Sequence, residues 1–324
     1  MTRPLRLAVL GYGFVGDLHT RAAQACGAEV REVSGHHAER AAAFARVHGI
    51  DTSSTEWEHT VAADDIDAVV IGTPNALHHA QALAAFAAGK HVLVDKPMAM
   101  NVAEAVEIRD AAIAAGRTLL VGHMWRYRAE VIALRDRIRS GDLGTVVRTR
   151  GYGIHAGWGP SGWFVDPALS GGGALIDMGI HAIDTARFLL DDPQAVRVQA
   201  SLGHAYGDYD GRIDDDGVVL IDWDCGARSV VECGWWQPVL DGVEGETDIY
   251  ATGGHARIWP EFVGGGPPSG YEHCALAMYQ AQMTDFIECC HTGATPLASA
   301  EVGLEALRIV EAAYVASSPK GGTA

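Results

Sequence analysis

The first 122 residues alternate between short, continuously apolar runs and alanine-rich stretches in which apolar residues recur at helical spacing. Uninterrupted Val, Ile and Leu runs are typical of strands that are covered on both faces, and the stretches between them predict helices. This strand–helix alternation predicts right-handed crossovers and an α/β fold with a doubly wound parallel sheet. The predicted strands are Leu5–Leu10, Val30–Ser34, Ala68–Gly72, His91–Asp95 and Leu119–Gly122, and the predicted helices are Ala38–His48, Leu77–Ala88 and Val102–Ala115.

The pattern changes after residue 122, where strand-like runs follow one another with turn sequences between them. Asp224–Ala227 and Gly253–Gly254 are good hairpin turns, so this half predicts a second α/β domain with an open, mostly antiparallel sheet. We therefore predict domains at residues 1–122 and 123–324, and expect the C-terminal helix to pack back on the first domain. The predicted strands are Val146–Ile154, Val196–His204, Val218–Asp222, Ser229–Gly234, Thr247–Thr252 and Ala256–Trp259, and the predicted helices are Ala174–Leu190, Met278–His291 and Ser299–Ala316.

Composition and charge narrow the functional classes. The 324 residues are 48% hydrophobic and 20% charged, as in a soluble globular protein, and no apolar run is long enough to span a bilayer. A net charge of −17 argues against nucleic acid and acidic membranes as partners, since both need a basic footprint. The run Met1–Leu10 is interpreted as the first strand rather than a signal peptide, because its apolar core is short.

Cysteine and histidine usage predicts a reduced, cytoplasmic protein without a bound metal. The six cysteines form no Cys-x-x-Cys pair, and the fifteen histidines show no zinc-like spacing. The acidic run Asp214–Asp216 is interpreted as the solvated start of a strand rather than a metal site. The Gly- and Pro-rich segment Gly264–Gly270 predicts a mobile loop.

A Gly-x-Gly-x-x-Gly sequence follows the first predicted strand and leads into a helix-like stretch. This order is the fingerprint of a dinucleotide-binding βαβ unit, although a glycine-rich turn without a ligand gives the same bare pattern. In the fingerprint the first glycine permits the tight turn, the second lets the backbone approach a pyrophosphate, and the third allows close packing of helix on strand. The predicted coenzyme contacts of this loop are Gly11, Gly13, Phe14, Val15 and Gly16.

Two further turns lie at the carboxyl ends of predicted strands, where open α/β sheets bind their ligands. In the first, Pro74 and Asn75 would fix a turn and cap the next helix, which by itself accounts for both residues. In the second, Lys96 is held by Pro97 over the crevice, although a surface lysine after a strand is common. The functional interpretation is that both turns line the coenzyme crevice, through Thr73, Pro74, Asn75, His78, Asp95 and Lys96.

Three glycines precede the helix predicted at Ala174–Leu190, so that a substrate or coenzyme ring could approach the backbone there. Asp177 and His181 are four residues apart, which predicts that they share one face of that helix. A lone histidine is more often structural than catalytic. A histidine with an aspartate one turn away, behind a triple-glycine segment, favours a catalytic role.

These segments together resemble the Gfo/Idh/MocA family of oxidoreductases over nearly the whole chain. The resemblance depends on the order and spacing of Gly-Tyr-Gly-Phe-Val-Gly, Thr-Pro-Asn, Asp-Lys-Pro and Gly-Gly-Gly-Ala-Leu-Ile-Asp-Met-Gly-Ile-His. It implies a Rossmann domain followed by an α/β domain with a largely antiparallel sheet. It also implies NAD(P)-linked oxidation or reduction of sugars, inositols and related polyols, and homo-oligomers (dimers or tetramers) formed through the large sheet.

The resemblance also implies roles for individual residues. Lys96 would hydrogen-bond the reacting oxygen, His181 would be the general acid/base, and Asp177 would bind a neighbouring hydroxyl and bias the imidazole. The pyridinium ring of the oxidised coenzyme would lower the proton affinity of Lys96. Arg126 occupies the place where the family often has an arginine near the site. The remaining substrate-pocket candidates are His155 and Trp163, either of which could simply pack or cap.

Two positions depart from the family pattern. Asp95 replaces the usual glutamate, as a shorter carboxylate. At the end of the second strand, Gly35 stands where an NAD-specific fold has an acidic residue that accepts from the ribose 2′-hydroxyl. The missing carboxylate removes repulsion against a 2′-phosphate, so the sequence favours NADP over NAD. The residues that could bind this phosphate are Ser34, His36 and Arg40, and Gly35 is a further predicted coenzyme contact at the same place.

Other function classes stay open on the sequence. Within the enzyme class, the chain could reduce another carbonyl or an imine, or oxidise a cyclic dihydrodiol. A non-catalytic nucleotide-binding sensor could use the same fold, because fold does not fix function. The complete set of Lys96, Asp177 and His181 favours the enzyme, since a sensor could lose these residues without cost.

Overall fold

The computed structural model describes residues 3–155, 161–237, 245–258 and 271–318. The chain forms two compact units. The first comprises Met1–Tyr127 with His273–Leu304, and the second comprises Arg128–Glu272 with Glu305–Ala324. The division of the sequence at residue 122 stays a prediction, and the predicted loop Gly264–Gly270 lies outside the described residues.

The first unit contains a six-stranded parallel sheet in the order β3-β2-β1-β4-β5-β6. Residues Ala68–Ile71 of β4 are buried on both faces, as their uninterrupted apolar sequence predicts. The doubly wound fold is therefore confirmed, although the sequence did not predict the short β3 and α3 or the short helix Met124–Tyr127. The elements are β1 (Arg6–Leu10), α1 (Phe14–Ala25), β2 (Glu29–Ser34), α2 (Ala38–His48), β3 (Thr52–Ser54), α3 (Trp57–Ala62), β4 (Ala68–Ile71), α4 (Asn75–Ala87), β5 (His91–Asp95), α5 (Val102–Ala115), β6 (Leu119–Gly122) and, from the C-terminal part, α9 (Tyr271–Thr292).

Local sequence explains where these helices begin and end. The Asn101 side chain accepts from the Glu104 N–H at the start of α5, and Gly116 ends that helix with a φ of 61°. These are the N-cap and left-handed C-cap signals of an α-helix. The expected cap at Asn75 is wrong, since Pro74 occupies the N-cap position of α4 without a side-chain bond and Asn75 is the first helical residue.

The second unit contains a six-stranded sheet in the order β12-β11-β7-β10-β9-β8. Its neighbouring strands are antiparallel except for β7 and β10, so the predicted open, mostly antiparallel sheet is confirmed. The elements are α6 (Ala129–Arg139), β7 (Val146–Ile154), α7 (Pro167–Ser170), α8 (Ile180–Leu189), β8 (Ala195–Gly203), β9 (Asp216–Trp223), β10 (Arg228–Gly234), β11 (Gly245–Ala251), β12 (Gly254–Ile258) and α10 (Ala300–Ser317), of which residues from Glu305 onward belong to this unit.

The helix predicted at Ala174–Leu190 is not regular. Leu175–Gly179 forms a turn of π-helix, and the α-helix begins only at Ile180. Asp177 lies inside the π-turn and His181 in the first turn of α8, so the assumption that both share one face of a regular α-helix is corrected. Single π-turns of this kind occur frequently at functional sites.

The acidic run before β9 is also different from the prediction. Asp214 and Asp215 are buried, and both carboxylates accept backbone N–H groups, those of Ala205, Tyr206 and Gly207 in the case of Asp215. The expectation of a solvated strand start is therefore wrong for these two residues. Burial is possible because several N–H donors compensate each carboxylate.

The described residues contain no membrane-spanning helix, metal-binding group or disulfide. Within residues 3–155, 161–237, 245–258 and 271–318, no helix has the length and hydropathy needed to cross a bilayer. The same residues contain no group of His, Cys, Asp and Glu side chains arranged to hold a metal ion. Their cysteines are thiols rather than disulfides, namely Cys26, Cys225, Cys233, Cys289 and Cys290.

Candidate active site

The glycine loop of the first unit has the shape that a dinucleotide requires. Gly11 has a φ of 104°, and a Cβ there would lie 2.4 Å from the Gly72 carbonyl oxygen. A Cβ at Gly16 would lie 2.2 Å from the Gly11 carbonyl oxygen, so Gly16 allows α1 to pack directly on the loop. A Cβ at Gly13 would meet no protein atom within 4 Å. Gly13 therefore lies against open space at the start of α1, as the approach of a pyrophosphate to the backbone needs.

His78 connects the two predicted turns of the first unit. Its Nδ1 lies 2.9 Å from the Pro97 carbonyl oxygen and its Nε2 lies 2.8 Å from the Thr73 carbonyl oxygen. The ring is fully buried, and burial lowers its pKa. The role of His78 in lining the coenzyme crevice stays a prediction. Its contacts hold the turn at Thr73 against the turn that carries Lys96.

Asp95 ends β5 immediately before Lys96. Its Oδ1 lies 3.8 Å from Nε2 of the buried His19 on α1, and a Cβ at Gly122 would lie 2.3 Å from the same oxygen. The neighbouring strand thus leaves room for the shorter carboxylate only because Gly122 has no side chain. Lys96 is half-buried at the carboxyl end of the sheet, and Arg126 lies buried in the short helix Met124–Tyr127 after β6.

The end of β2 is covered by Tyr12. A Cβ at Gly35 would lie 2.1 Å from Tyr12 Cε1, so this position has no room for a side chain while the ring stays in place. The Tyr12 hydroxyl lies 3.2 Å from His36 Nδ1 and accepts from the His37 N–H. The Arg40 guanidinium lies over the same ring, 4.9 Å from its centroid. The hydroxyl of Ser34, the remaining predicted phosphate ligand, is buried.

In the second unit the π-turn places Asp177 beside His155 and Trp235. The Trp235 indole N–H donates to Asp177 Oδ2 over 3.0 Å, and His155 Nε2 lies 3.4 Å from the same oxygen. All three residues are buried, with Trp235 at 0% exposure. A buried carboxylate needs donors or a cation, and these two rings supply them. His155, a weaker prediction, is thereby next to Asp177.

The π-turn packs directly on the sheet. A Cβ at Gly153 of β7 would lie 2.2 Å from the Met178 carbonyl oxygen, and one at Gly179 would lie 2.9 Å from the Cys233 Cβ. His181 is buried in the first turn of α8. Trp163 lies in the short helix Gly162–Val165 and stacks on Phe164 with ring centroids 3.8 Å apart. A predicted role for Trp163 in the substrate pocket stays a prediction.

The space beside the triple-glycine segment is filled by other residues of the protein. Asp214 and Tyr314 approach Gly172 and Gly173, whose missing side chains make this possible. The expectation that a substrate or coenzyme ring uses this space is therefore corrected. Sequence reasoning missed Trp235, Asp214 and Tyr314. The three consecutive glycines were the available signal for a close backbone approach, but they did not reveal which residues approach.

Comparison with known proteins agrees with this arrangement. The family model described as "Oxidoreductase family, NAD-binding Rossmann fold" matches residues 5–123, and the "GFO/IDH/MocA C-terminal domain" matches residues 131–257. The chain belongs to the Gfo/Idh/MocA oxidoreductase family. This confirms the resemblance and the NAD-binding Rossmann fold of the N-terminal part.

Individual relatives lie in the same family. The rhizopine catabolism protein MocA of Rhizobium meliloti is 32% identical over 319 residues, which cover 97% of this chain and 95% of that protein. The 1,5-anhydro-D-fructose reductase of Ensifer adhaerens is 42% identical over 187 residues, and this match spans only 56% of each chain. The solved structure of GenD2 from gentamicin A biosynthesis, in complex with NAD, has a TM-score of 0.89 at 25% identity and covers 99% of this chain and 96% of its own.

Proposed function

We propose that the protein is an NAD(P)-dependent oxidoreductase that transfers a hydride between the nicotinamide and a CH–OH group of a sugar, inositol or related polyol. The observation that carries this proposal is that one member of this family contains both a glycine loop for a dinucleotide and a buried polar group for a hydroxylated substrate. A glycine loop open at Gly13 can accept a dinucleotide, and the buried group of Asp177 and His155 offers hydrogen-bonding groups for hydroxyls.

The chain's own residues would provide binding and proton transfer. A bound nicotinamide supplies the hydride chemistry, and the protein orients it. Lys96 donates a hydrogen bond to the reacting oxygen, and His181 takes the alcohol proton during oxidation and returns it during reduction. Asp177 accepts from a neighbouring hydroxyl of the substrate. Its carboxylate is already oriented by Trp235 and His155, which reduces the entropy lost when the substrate binds.

For the coenzyme, NADP is our proposal. Gly35 offers no carboxylate to a ribose 2′-hydroxyl, and the Tyr12 ring fills the space that a side chain at this position would need. His36 and Arg40 lie against Tyr12 at the same edge, where basic groups would bind a 2′-phosphate. The GenD2 structure contains NAD, so this proposal depends on the residues at the end of β2 and not on that relative.

We also propose that the protein is a homo-oligomer through the outer face of the second sheet. Val218 and Leu220 occupy alternate positions on one face of β9 and are exposed at 41% and 46%. Exposed apolar side chains on one sheet face favour contact with a second copy. Sedimentation of the wild type and of Leu220→Lys tests this proposal. The assembly formed by the variant should have a smaller mass than that of the wild type, and an identical mass would contradict the proposed interface.

The test of function is a panel of sugars, inositols and keto-sugars with NAD and NADP, followed by the absorbance of the reduced nicotinamide. Lys96→Ala and His181→Ala should each lower kcat by about 100-fold or more while coenzyme binding is retained. His79→Ala, a partly exposed histidine on α4 paired with Glu107, is the matched control.

The double variant of Lys96 and His181 separates joint action from independent effects. If both residues act on one alcohol, the double variant should lose far less than the product of the two single losses. Coenzyme binding without turnover of any substrate class would favour the sensor instead. Wild-type turnover in both single variants would overturn the assigned roles.

A further inference from the structure

The start of the π-turn is bonded to one acidic residue. The Gly173 N–H donates to Asp214 Oδ1 over 2.9 Å, and the Leu175 N–H donates to Asp214 Oδ2 over 2.7 Å. Between them, the Ala174 N–H donates to the Asp214 backbone carbonyl oxygen over 2.7 Å. Three successive backbone N–H groups therefore donate to the same residue, which lies about 40 residues further along the chain.

Tyr314 of α10 completes this group. Its hydroxyl donates to Asp214 Oδ1 over 2.8 Å and accepts from the Gly173 N–H over 3.2 Å. The Tyr314 hydroxyl is thus hydrogen-bonded to both sides of the contact, and one segment of the second unit is joined to another through a single side chain. Burial raises the pKa of Tyr314 well above its ordinary value, so the hydroxyl stays a donor.

The glycines of this segment leave the space that the contact needs. A Cβ at Gly173 would lie 1.9 Å from the Asp214 carbonyl oxygen, and a Cβ at Gly172 would lie 2.2 Å from the Tyr314 hydroxyl. The first of these clashes involves backbone, which cannot rotate away. The two glycines are therefore required by Asp214 and Tyr314 rather than by a ligand.

The Asp214 carboxylate is buried, and within the described part of the chain it forms no ion pair. Burial raises its pKa, and the N–H groups of Leu175 and Gly173 and the Tyr314 hydroxyl act in the opposite direction. Its negative charge is thus compensated by donors at the beginning of a helical segment, where a carboxylate is favourable. Such a fully bonded polar group specifies one geometry of the segment.

We propose that Asp214 and Tyr314 are positioning residues for the reaction, because they fix the segment from which Asp177 and His181 follow. Asp177 lies two residues beyond Leu175, and its own N–H donates to the Gly173 carbonyl oxygen over 3.0 Å. A shift at Gly173 is therefore transmitted to Asp177 through one hydrogen bond. This inference rests on the proposed function for its catalytic consequence but not for its structural part.

Tyr314→Phe is the decisive variant, because it removes one hydroxyl and keeps the ring. We expect kcat for the polyol to fall by about 10- to 100-fold, with a much smaller change in KM and none in NADP affinity. Amide hydrogen exchange in a peptide covering residues 173–181 should be roughly tenfold faster than in the wild type. Tyr250→Phe, on the second sheet, is the matched control and should change neither quantity.

Asp214→Asn provides a second measurement, since its amide group places a donor where a backbone N–H or the Tyr314 hydroxyl also donates. It should accelerate exchange at least as much as Tyr314→Phe. Asp214→Glu should not restore the wild-type rate, because the surrounding glycine backbone leaves no room for another methylene. If Asp214→Asn fails to fold, Tyr314→Phe decides alone.

The outcomes separate this inference from the proposed function. Unchanged exchange at residues 173–181 in Tyr314→Phe overturns the inference, whatever the enzyme does. Faster exchange with unchanged kcat also overturns it, because the contact would then be structural only. If the wild type turns over no sugar or polyol, the proposed function fails. Exchange then still decides whether Asp214 and Tyr314 hold this segment.

Discussion

The indole N–H of Trp235 donates to Asp177 Oδ2 over 3.0 Å, and both residues are buried. Trp235 immediately follows β10, whereas Asp177 lies in the π-turn that packs on the same sheet. A charge-assisted hydrogen bond of this kind holds the carboxylate in one rotamer. Trp235, together with His155, thus orients the proposed hydroxyl acceptor.

Replacing Trp235 by Phe removes this donor and keeps an aromatic ring. We expect kcat/KM for the polyol to fall about tenfold, which corresponds to roughly 1.4 kcal/mol for a lost bond to a charged group. Steady-state kinetics with the best substrate of the panel measures it. Trp236→Phe is the control, since Trp236 is half-exposed and bonds to the Tyr209 hydroxyl instead. Equal kcat/KM values of wild type and Trp235→Phe would show that Trp235 does not contribute to substrate turnover.

The three glycines of the loop should respond differently to alanine. Gly13→Ala should leave the melting temperature nearly unchanged but weaken coenzyme binding by at least tenfold, since its Cβ enters only the open space. Gly16→Ala should lower the free energy of unfolding by about 2 kcal/mol or more, because its Cβ meets backbone at 2.2 Å. Thermal unfolding and coenzyme titration measure both. Full coenzyme affinity in Gly13→Ala would exclude a pyrophosphate from this place.

Coenzyme preference should depend on Tyr12 as well as on Gly35. Gly35→Asp alone displaces the Tyr12 ring, since the new Cβ would lie 2.1 Å from Tyr12 Cε1. The double variant of Gly35→Asp with Tyr12→Ala should therefore shift the ratio of kcat/KM values toward NAD by about tenfold or more, and more than Gly35→Asp alone. Tyr12→Ala by itself is the control. A double variant with the same ratio of kcat/KM values for NADP and NAD as the wild type would contradict the proposed phosphate site.

The stability of the first unit should fall on mild acidification because of His91. Burial, followed by the charge of Arg117, lowers the pKa of His91 to about 4. Its Nδ1 accepts from the Thr118 N–H, which the neutral ring allows. An unfolded chain takes up this proton near pH 6.5, so the stabilisation is complete above that pH and is lost as the pH falls toward 4.

His91→Asn keeps an acceptor for the Thr118 N–H and does not titrate. Between pH 7.5 and pH 4.5 the wild type should lose about 1 kcal/mol more unfolding free energy than this variant, a value discounted for the partial exposure of the ring. Urea unfolding at several pH values measures the difference. Parallel pH profiles of the two proteins would show that His91 has the same pKa in the folded and the unfolded protein, which would contradict this prediction.

Local sequence patterns predicted the parallel sheet, the mostly antiparallel second sheet and most element bounds to within two residues, as at His91–Asp95 and Val146–Ile154. These elements depend on local periodicity and on turn residues, which a sequence displays directly. The glycine loop and the family were predictable for the same reason. Their residues lie close together in the chain.

The surroundings of Asp177 and of the glycines before it depend on contacts between distant parts of the chain. The bond from Trp235 spans 58 residues, and the bond from Tyr314 to Asp214 spans 100 residues. The π-turn likewise depends on packing against β7 and β10 rather than on propensity. The charges of Asp214–Asp216 indicated solvent because the chain alone does not show which N–H groups will meet them. Burial of a carboxylate depends on those donors, and only folding brings them together.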